Sequence, residues 1–85
     1  MATKDAVILG TDYAWVLIYD AAARGDFTGS AQKIGGGPAR LRIADDVPLD
    51  DDRGFVATEY PSPFTINGLD KLYGRSNGNA VIILS

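Results

Sequence analysis

Lys71-Leu72-Tyr73-Gly74-Arg75-Ser76-Asn77-Gly78-Asn79-Ala80-Val81-Ile82-Ile83-Leu84 closes the chain and carries its strongest local signal. Two runs of apolar, β-branched and aromatic residues flank Asn77-Gly78, a dipeptide that favours the positive φ angles of a type I′ turn. The pattern predicts a C-terminal β-hairpin. Asn67-Gly68 is a second candidate turn, joining Phe64-Thr65-Ile66 to the Leu69-Asp70-Lys71-Leu72 segment. Before it, Gly54-Phe55-Val56-Ala57-Thr58-Glu59 has strand composition until Pro61 and Pro63 stop it. Ala39-Arg40-Leu41-Arg42-Ile43 alternates apolar and charged residues, which places Leu41 and Ile43 on a core and the arginines in water. Val7-Ile8-Leu9 and Trp15-Val16-Leu17-Ile18-Tyr19 are strands separated by Gly10-Thr11-Asp12, the second expected to be buried on both faces. Between them and Ala39, the segment 21–38 reads as a long Gly-rich loop: Ala21-Ala22-Ala23-Arg24 allows one helical turn, Gly25 ends it, and Gly35-Gly36-Gly37-Pro38 is a hinge or tight bend. The expectation is all-β: a single domain over 1–85, a small β-sandwich or barrel of about six to seven short antiparallel strands.

Composition bounds the function. The chain has 85 residues, 46% hydrophobic and 22% charged, enough for one modest core and too ordinary for a disordered tail. Val7, Leu9, Trp15, Leu17, Leu41, Ile43, Phe55, Phe64, Ile66, Leu72, Ile82 and Leu84 are the expected core. Val16, Ile18, Tyr19, Val81 and Ile83 then fall on opposite strand faces and need a second layer or a neighbouring subunit, which points to a homo-oligomer. There is no cysteine and no histidine, so disulfides, thiolate zinc sites, cysteine nucleophiles and imidazole acid–base chemistry are excluded. With no nucleophile–base pair discernible, an enzyme is not expected, nor is a cofactor. A net charge of −3 with basic residues scattered along the chain argues against nucleic acid as a partner. Met1 to Asp5 lacks a signal architecture and the longest apolar run, Ala14 to Tyr19, is too short to span a bilayer, so the expectation is a soluble protein made in the cytoplasm, with no membrane partner.

Several motifs invite sharper readings. Asp45-Asp46-Val47-Pro48-Leu49-Asp50-Asp51-Asp52 offers carboxylates to a calcium ion, but not at the spacing of a helix-loop-helix site, and a solvated acidic turn explains it as well. Arg24-Gly25-Asp26 spells a receptor-read tripeptide that a polar turn also produces. Ile34-Gly35-Gly36-Gly37-Pro38 lacks the Lys-Ser/Thr pair of a phosphate-binding loop. Glu59 with an aspartate gives a carboxylate pair for glycoside hydrolysis, yet the chain is too small for much of a cleft. Tyr13, Trp15, Tyr19, Tyr60 and Tyr73 form a possible carbohydrate-stacking platform, with Trp15 better explained as core.

The order of features resembles the small β-sandwich or barrel proteins of tailed-bacteriophage virions. The carrying residues are Ala14-Trp15-Val16-Leu17-Ile18-Tyr19, then Ala39-Arg40-Leu41-Arg42-Ile43-Ala44, then Pro63-Phe64-Thr65-Ile66-Asn67-Gly68-Leu69 and the closing Lys71–Leu84 stretch. The resemblance implies a passive structural role in the virion: a head-decoration (capsid-cementing) protein or a small fibre or tail unit that binds a symmetric surface of phage capsid or tail proteins as a homo-oligomer, with a trimer the expected form. Assembly would then fall to Tyr19, Arg24, Phe27, Tyr60, Tyr73 and Arg75, because aromatic and arginine side chains concentrate interface energy. The alternative is a small carbohydrate- or receptor-binding β module using exposed aromatics and, with calcium, the Asp45–Asp52 loop.

Overall fold

The computed structural model describes residues 6–46 and 54–85. Its strands are β1 (Val7–Ile8), β2 (Val16–Asp20), β3 (Phe27–Gly35), β4 (Ala39–Ala44), β5 (Phe55–Ala57), β6 (Ser62–Ile66), β7 (Lys71–Ser76) and β8 (Val81–Leu84), with a single helical turn, α1 (Ala21–Arg24), after β2. They form a small β-sandwich of two four-stranded antiparallel sheets, ordered β1-β8-β3-β6 and β2-β7-β4-β5. Leu9, Ile18, Leu41, Ile66, Leu72, Ile82 and Leu84 fill the space between the sheets. The central strand β7 has Gly74 facing this core. A Cβ there would lie 2.8 Å from Ile18 Cδ1, 3.0 Å from Leu41 Cδ2 and 3.2 Å from Leu9 Cδ1, so the missing side chain lets three large ones meet.

Three expectations about the elements need correction. The segment 21–38 is not a loop: Asp20 caps α1 through its Oδ1, which accepts from Ala22 N at 3.0 Å, and β3 then runs for nine residues between β6 and β8. It escapes an apolar-pattern reading because its inward positions opposite Ile66, Phe64 and Leu84 are Phe27, Gly29 and Ala31. A Cβ on Gly29 would sit 2.4 Å from Ser85 O and 2.8 Å from the Phe27 ring, so size, not polarity, selects these residues. This strand takes the described total to eight.

The C-terminal hairpin is likewise absent, since β7 and β8 belong to different sheets and Asn77-Gly78 carries the chain across the sandwich. Asn79 takes the positive φ, at 58°, rather than Gly78, and its N–H donates to Gly10 O at 2.9 Å. Asn67-Gly68 does make a turn, with Gly68 at φ 65° and Asp70 N donating to Asn67 O at 3.1 Å, but it too joins the two sheets.

The third correction concerns β2. A register shift between Leu17 and Tyr19 breaks simple alternation: Leu17 faces outward opposite Tyr73 and is 47% exposed, whereas Ile18 and Tyr19 are both buried. Ile18 and Tyr19 are therefore core and not a spare face. Ile43, opposite Leu72 at the sheet's end, is 36% exposed.

Candidate functional site

In antiparallel sheets, directly paired residues point to the same side, so the register fixes what the outer face of the β2-β7-β4-β5 sheet presents. Val56, Arg40 and Arg75 form one row across β5, β4 and β7; Arg42, Tyr73 and Leu17 form the next; Ala44 and Lys71 follow. Four of the chain's eight lysines and arginines thus gather on one face although they are scattered in the sequence. At its far end lie Asp20, Asp45 and Asp46. The Tyr73 hydroxyl is pushed above the ordinary tyrosine range by burial first and then by these three carboxylates, so it stays a proton donor.

Arg75 organises the other end. Its side chain is only 3% exposed, and its Nε donates to the Tyr13 carbonyl oxygen at 2.8 Å while Nη2 donates to the same oxygen. The guanidinium lies 4.0 Å from the Tyr13 ring centroid and 4.8 Å from that of Trp15. Tyr13 is held at φ 59°, a left-handed conformation uncommon for a bulky residue, between its N–H bond to Ser76 O at 3.1 Å and the Asp12 side chain accepting from Ala14 N at 3.3 Å. One face of its ring is stacked on Arg75. The ring also walls a small cleft of about 190 Å³ that is completed by Pro38, Ala39, Arg40, Val56 and Asn77.

A wider, mostly apolar groove of about 420 Å³ continues past Pro38 and Val56 to Lys33, Ala57, Thr58, Glu59 and Tyr60. Its far wall is tied to β3: Lys33 N donates to Thr58 O at 2.8 Å and Gln32 Nε2 to Glu59 O at 2.6 Å. Tyr60 N in turn donates to Thr58 Oγ1 at 3.2 Å, a local turn that fixes the backbone from which the ring projects.

The residues expected at an interface separate into three groups. Tyr19 and Phe27 are buried with their rings 5.2 Å apart, and Arg24 lies over Tyr19 at 4.9 Å; the Tyr19 hydroxyl donates to Gly25 O at 3.0 Å. This cluster anchors α1 to the core, and only Arg24 in it is exposed. Tyr73 and Arg75 are buried within the outer face, so neither is the exposed contact the sequence suggests. Tyr60, 79% exposed, is the one aromatic of the six that stands free on the surface. The Arg24-Gly25-Asp26 tripeptide is engaged internally, with Asp26 Oδ1 accepting from Gly68 N at 3.1 Å. Glu59 sits at the rim of the apolar groove. Of the proposed calcium loop, residues 47–52 lie outside the described residues, and among the described residues no group of three or more acidic side chains is placed to hold a metal ion.

Arg40, Pro38, Val56 and Asn77 are the lining residues that sequence reasoning missed. Arg40 carries a signal, being the outward position of an alternating strand; the others become neighbours only through the sheet order. No family model, no curated protein and no solved structure matches the chain.

Proposed function

We propose that the protein is a non-catalytic structural subunit of a tailed-phage virion, a head-decoration or small fibre or tail unit that assembles with copies of itself, as a trimer, and docks on phage capsid or tail proteins. The observation that carries this reading is the apolar groove beside β5, the end strand of its sheet, which is lined by Pro38, Ala57 and two large exposed side chains, Val56 at 52% and Tyr60 at 79%. Large side chains left in water on a domain this small favour burial against another chain, and an exposed tyrosine on a fixed backbone is an effective anchor. The resemblance of the Ala14–Tyr19, Ala39–Ala44 and Lys71–Leu84 stretches to virion β-sandwich proteins supplies the class of assembly.

Light scattering over a dilution series tests the first step. The wild-type chain is expected to run as a closed oligomer and Tyr60→Ser as a smaller species. Co-sedimentation with phage heads and with tails tests the second. A chain that is monomeric at every concentration and stays in the supernatant with both overturns the reading.

A further inference from the structure

Arg40 and Arg75 are directly opposite each other on β4 and β7. Their Cβ atoms are therefore about 4.5–5.5 Å apart, a separation at which like charges destabilise a sheet. Arg75 is withdrawn into the face, with Nε and Nη2 donating to the Tyr13 carbonyl and its guanidinium 4.0 Å and 4.8 Å from the Tyr13 and Trp15 ring centroids. Arg40 lines the cleft instead, half-buried, together with Tyr13 and Asn77. An anion bound there meets a guanidinium fork suited to a carboxylate.

The remaining walls select what carries the anion. Tyr13, locked in a rare backbone conformation and backed by Arg75, is a rigid aromatic wall. Pro38 and Val56 are apolar, and the Asn77 amide offers a donor and an acceptor. At about 190 Å³ the cleft is below the roughly 300–1,000 Å³ of pockets for drug-sized ligands and takes a single ring. A nucleic-acid strand needs a track of phosphate-reading cations, whereas among the described residues this cleft is lined by one, Arg40. We propose that the cleft between Tyr13, Arg40 and Asn77 binds a sugar ring bearing a carboxylate, with the carboxylate on Arg40, the apolar ring face on Tyr13 and hydroxyls on Asn77.

Heteronuclear NMR of the full chain, titrated separately with glucuronate, N-acetylneuraminate, glucose and acetate, tests this. At least one acidic sugar is expected to shift the amides of Tyr13, Arg40, Val56 and Asn77 saturably and to bind about tenfold more tightly than glucose or acetate. Arg40→Gln should reduce that sugar to the affinity of glucose, and Asn77→Ala, at an exposed crossing, should weaken it with the spectrum elsewhere unchanged. Tyr60→Ser should leave the titration intact, which separates this site from self-association. Equal response to acetate, equal response to glucose, or no shift with either acidic sugar each overturns the proposal.

Discussion

A Cβ placed on Gly36 would fall 2.4 Å from the Asn79 carbonyl oxygen and 2.5 Å from Ala80 Cα, at a φ of +82°. Both obstacles are backbone, and neither can rotate away. Gly25 shares the positive φ, at +91°, but has open space around it. Gly25, at φ 91° and ψ 167°, lies in an extended positive-φ region that is essentially reserved for glycine, so Gly25→Ala should cost that backbone strain alone, about 1–3 kcal/mol, and Gly36→Ala distinctly more; urea midpoints at unchanged slope check the order. The Gly35–Pro38 run is legible as a bend in the sequence. Its packing against the Asn79-Ala80 backbone is not, because contacts between main chains leave no side-chain pattern. Tyr73 gives a residue-scale prediction in pH. Burial, Asp46, Asp20 and Asp45 favour its neutral form in the folded state. Below the ordinary tyrosine pKa of about 10, folded and unfolded chains both keep the proton and its contribution is complete. Above it the unfolded chain releases the proton first, so stability falls as pH climbs through the raised folded value. Denaturant titrations should show that fall in the wild type and a shallower one in Tyr73→Phe.

Ser76 explains at the scale of elements why the chain crosses between sheets where a hairpin is expected. Its hydroxyl, fully buried, donates to Pro38 O at 2.8 Å and accepts from Gly78 N at 3.0 Å and Ala80 N at 3.3 Å. One side chain thus ties the end of β7, the start of β8 and the approach to β4, and Gly37 N donating to Gly78 O at 2.8 Å adds a second tie. Ser76→Ala leaves these buried groups without their partner and should lower stability by about 1–3 kcal/mol, read as a lower urea midpoint. Asn-Gly marks a reversal in the sequence correctly. Whether the reversal folds β8 back on β7 or carries it to the other sheet depends on β1 and β3 competing for β8, which no local pattern encodes. The same limit hid β3, whose inner face of Phe27, Gly29 and Ala31 is chosen by the space left by Phe64, Ile66 and Ser85. Where alternation faces a deep core, as around Leu41 in Ala39–Ala44, the strand is legible because burial dominates it; toward the sheet's end the same alternation fails, leaving Ile43 36% exposed.

At the scale of the whole molecule, the two sheets supply the core, and among the apolar side chains left in water, Ile8, Leu17, Ile34 and Leu69 included, Val56 and Tyr60 are the two that border the apolar groove. Tyr60 is identifiable from the sequence as an exposed aromatic, but the groove it borders is built by Lys33 on β3, Pro38 before β4 and Val56 on β5, brought together only by sheet order. Tyr73 and Arg75 are expected at an interface because aromatic and arginine side chains concentrate interface energy; what buries them is set by the fold, Tyr13 and Trp15 lying against Arg75 while Tyr73 pairs with Leu17 and Arg42 inside the sheet. If this groove is an assembly surface, folding and association are linked, since a partner that binds only the folded chain stabilises it by mass action. The melting temperature of the wild type should then rise with protein concentration over about a hundredfold range. Val56→Ser and Tyr60→Ser remove apolar surface that the isolated chain already leaves in water, 52% and 79% exposed, so in the dilute limit they should change stability by no more than about 0.5 kcal/mol, with the melting temperature close to wild type. What they should abolish is its rise with concentration. Calorimetry across the dilution series decides the matter: a wild-type melting temperature independent of concentration removes the groove as an assembly surface, and a parallel drop of both variants at every concentration makes Val56 and Tyr60 part of the fold instead.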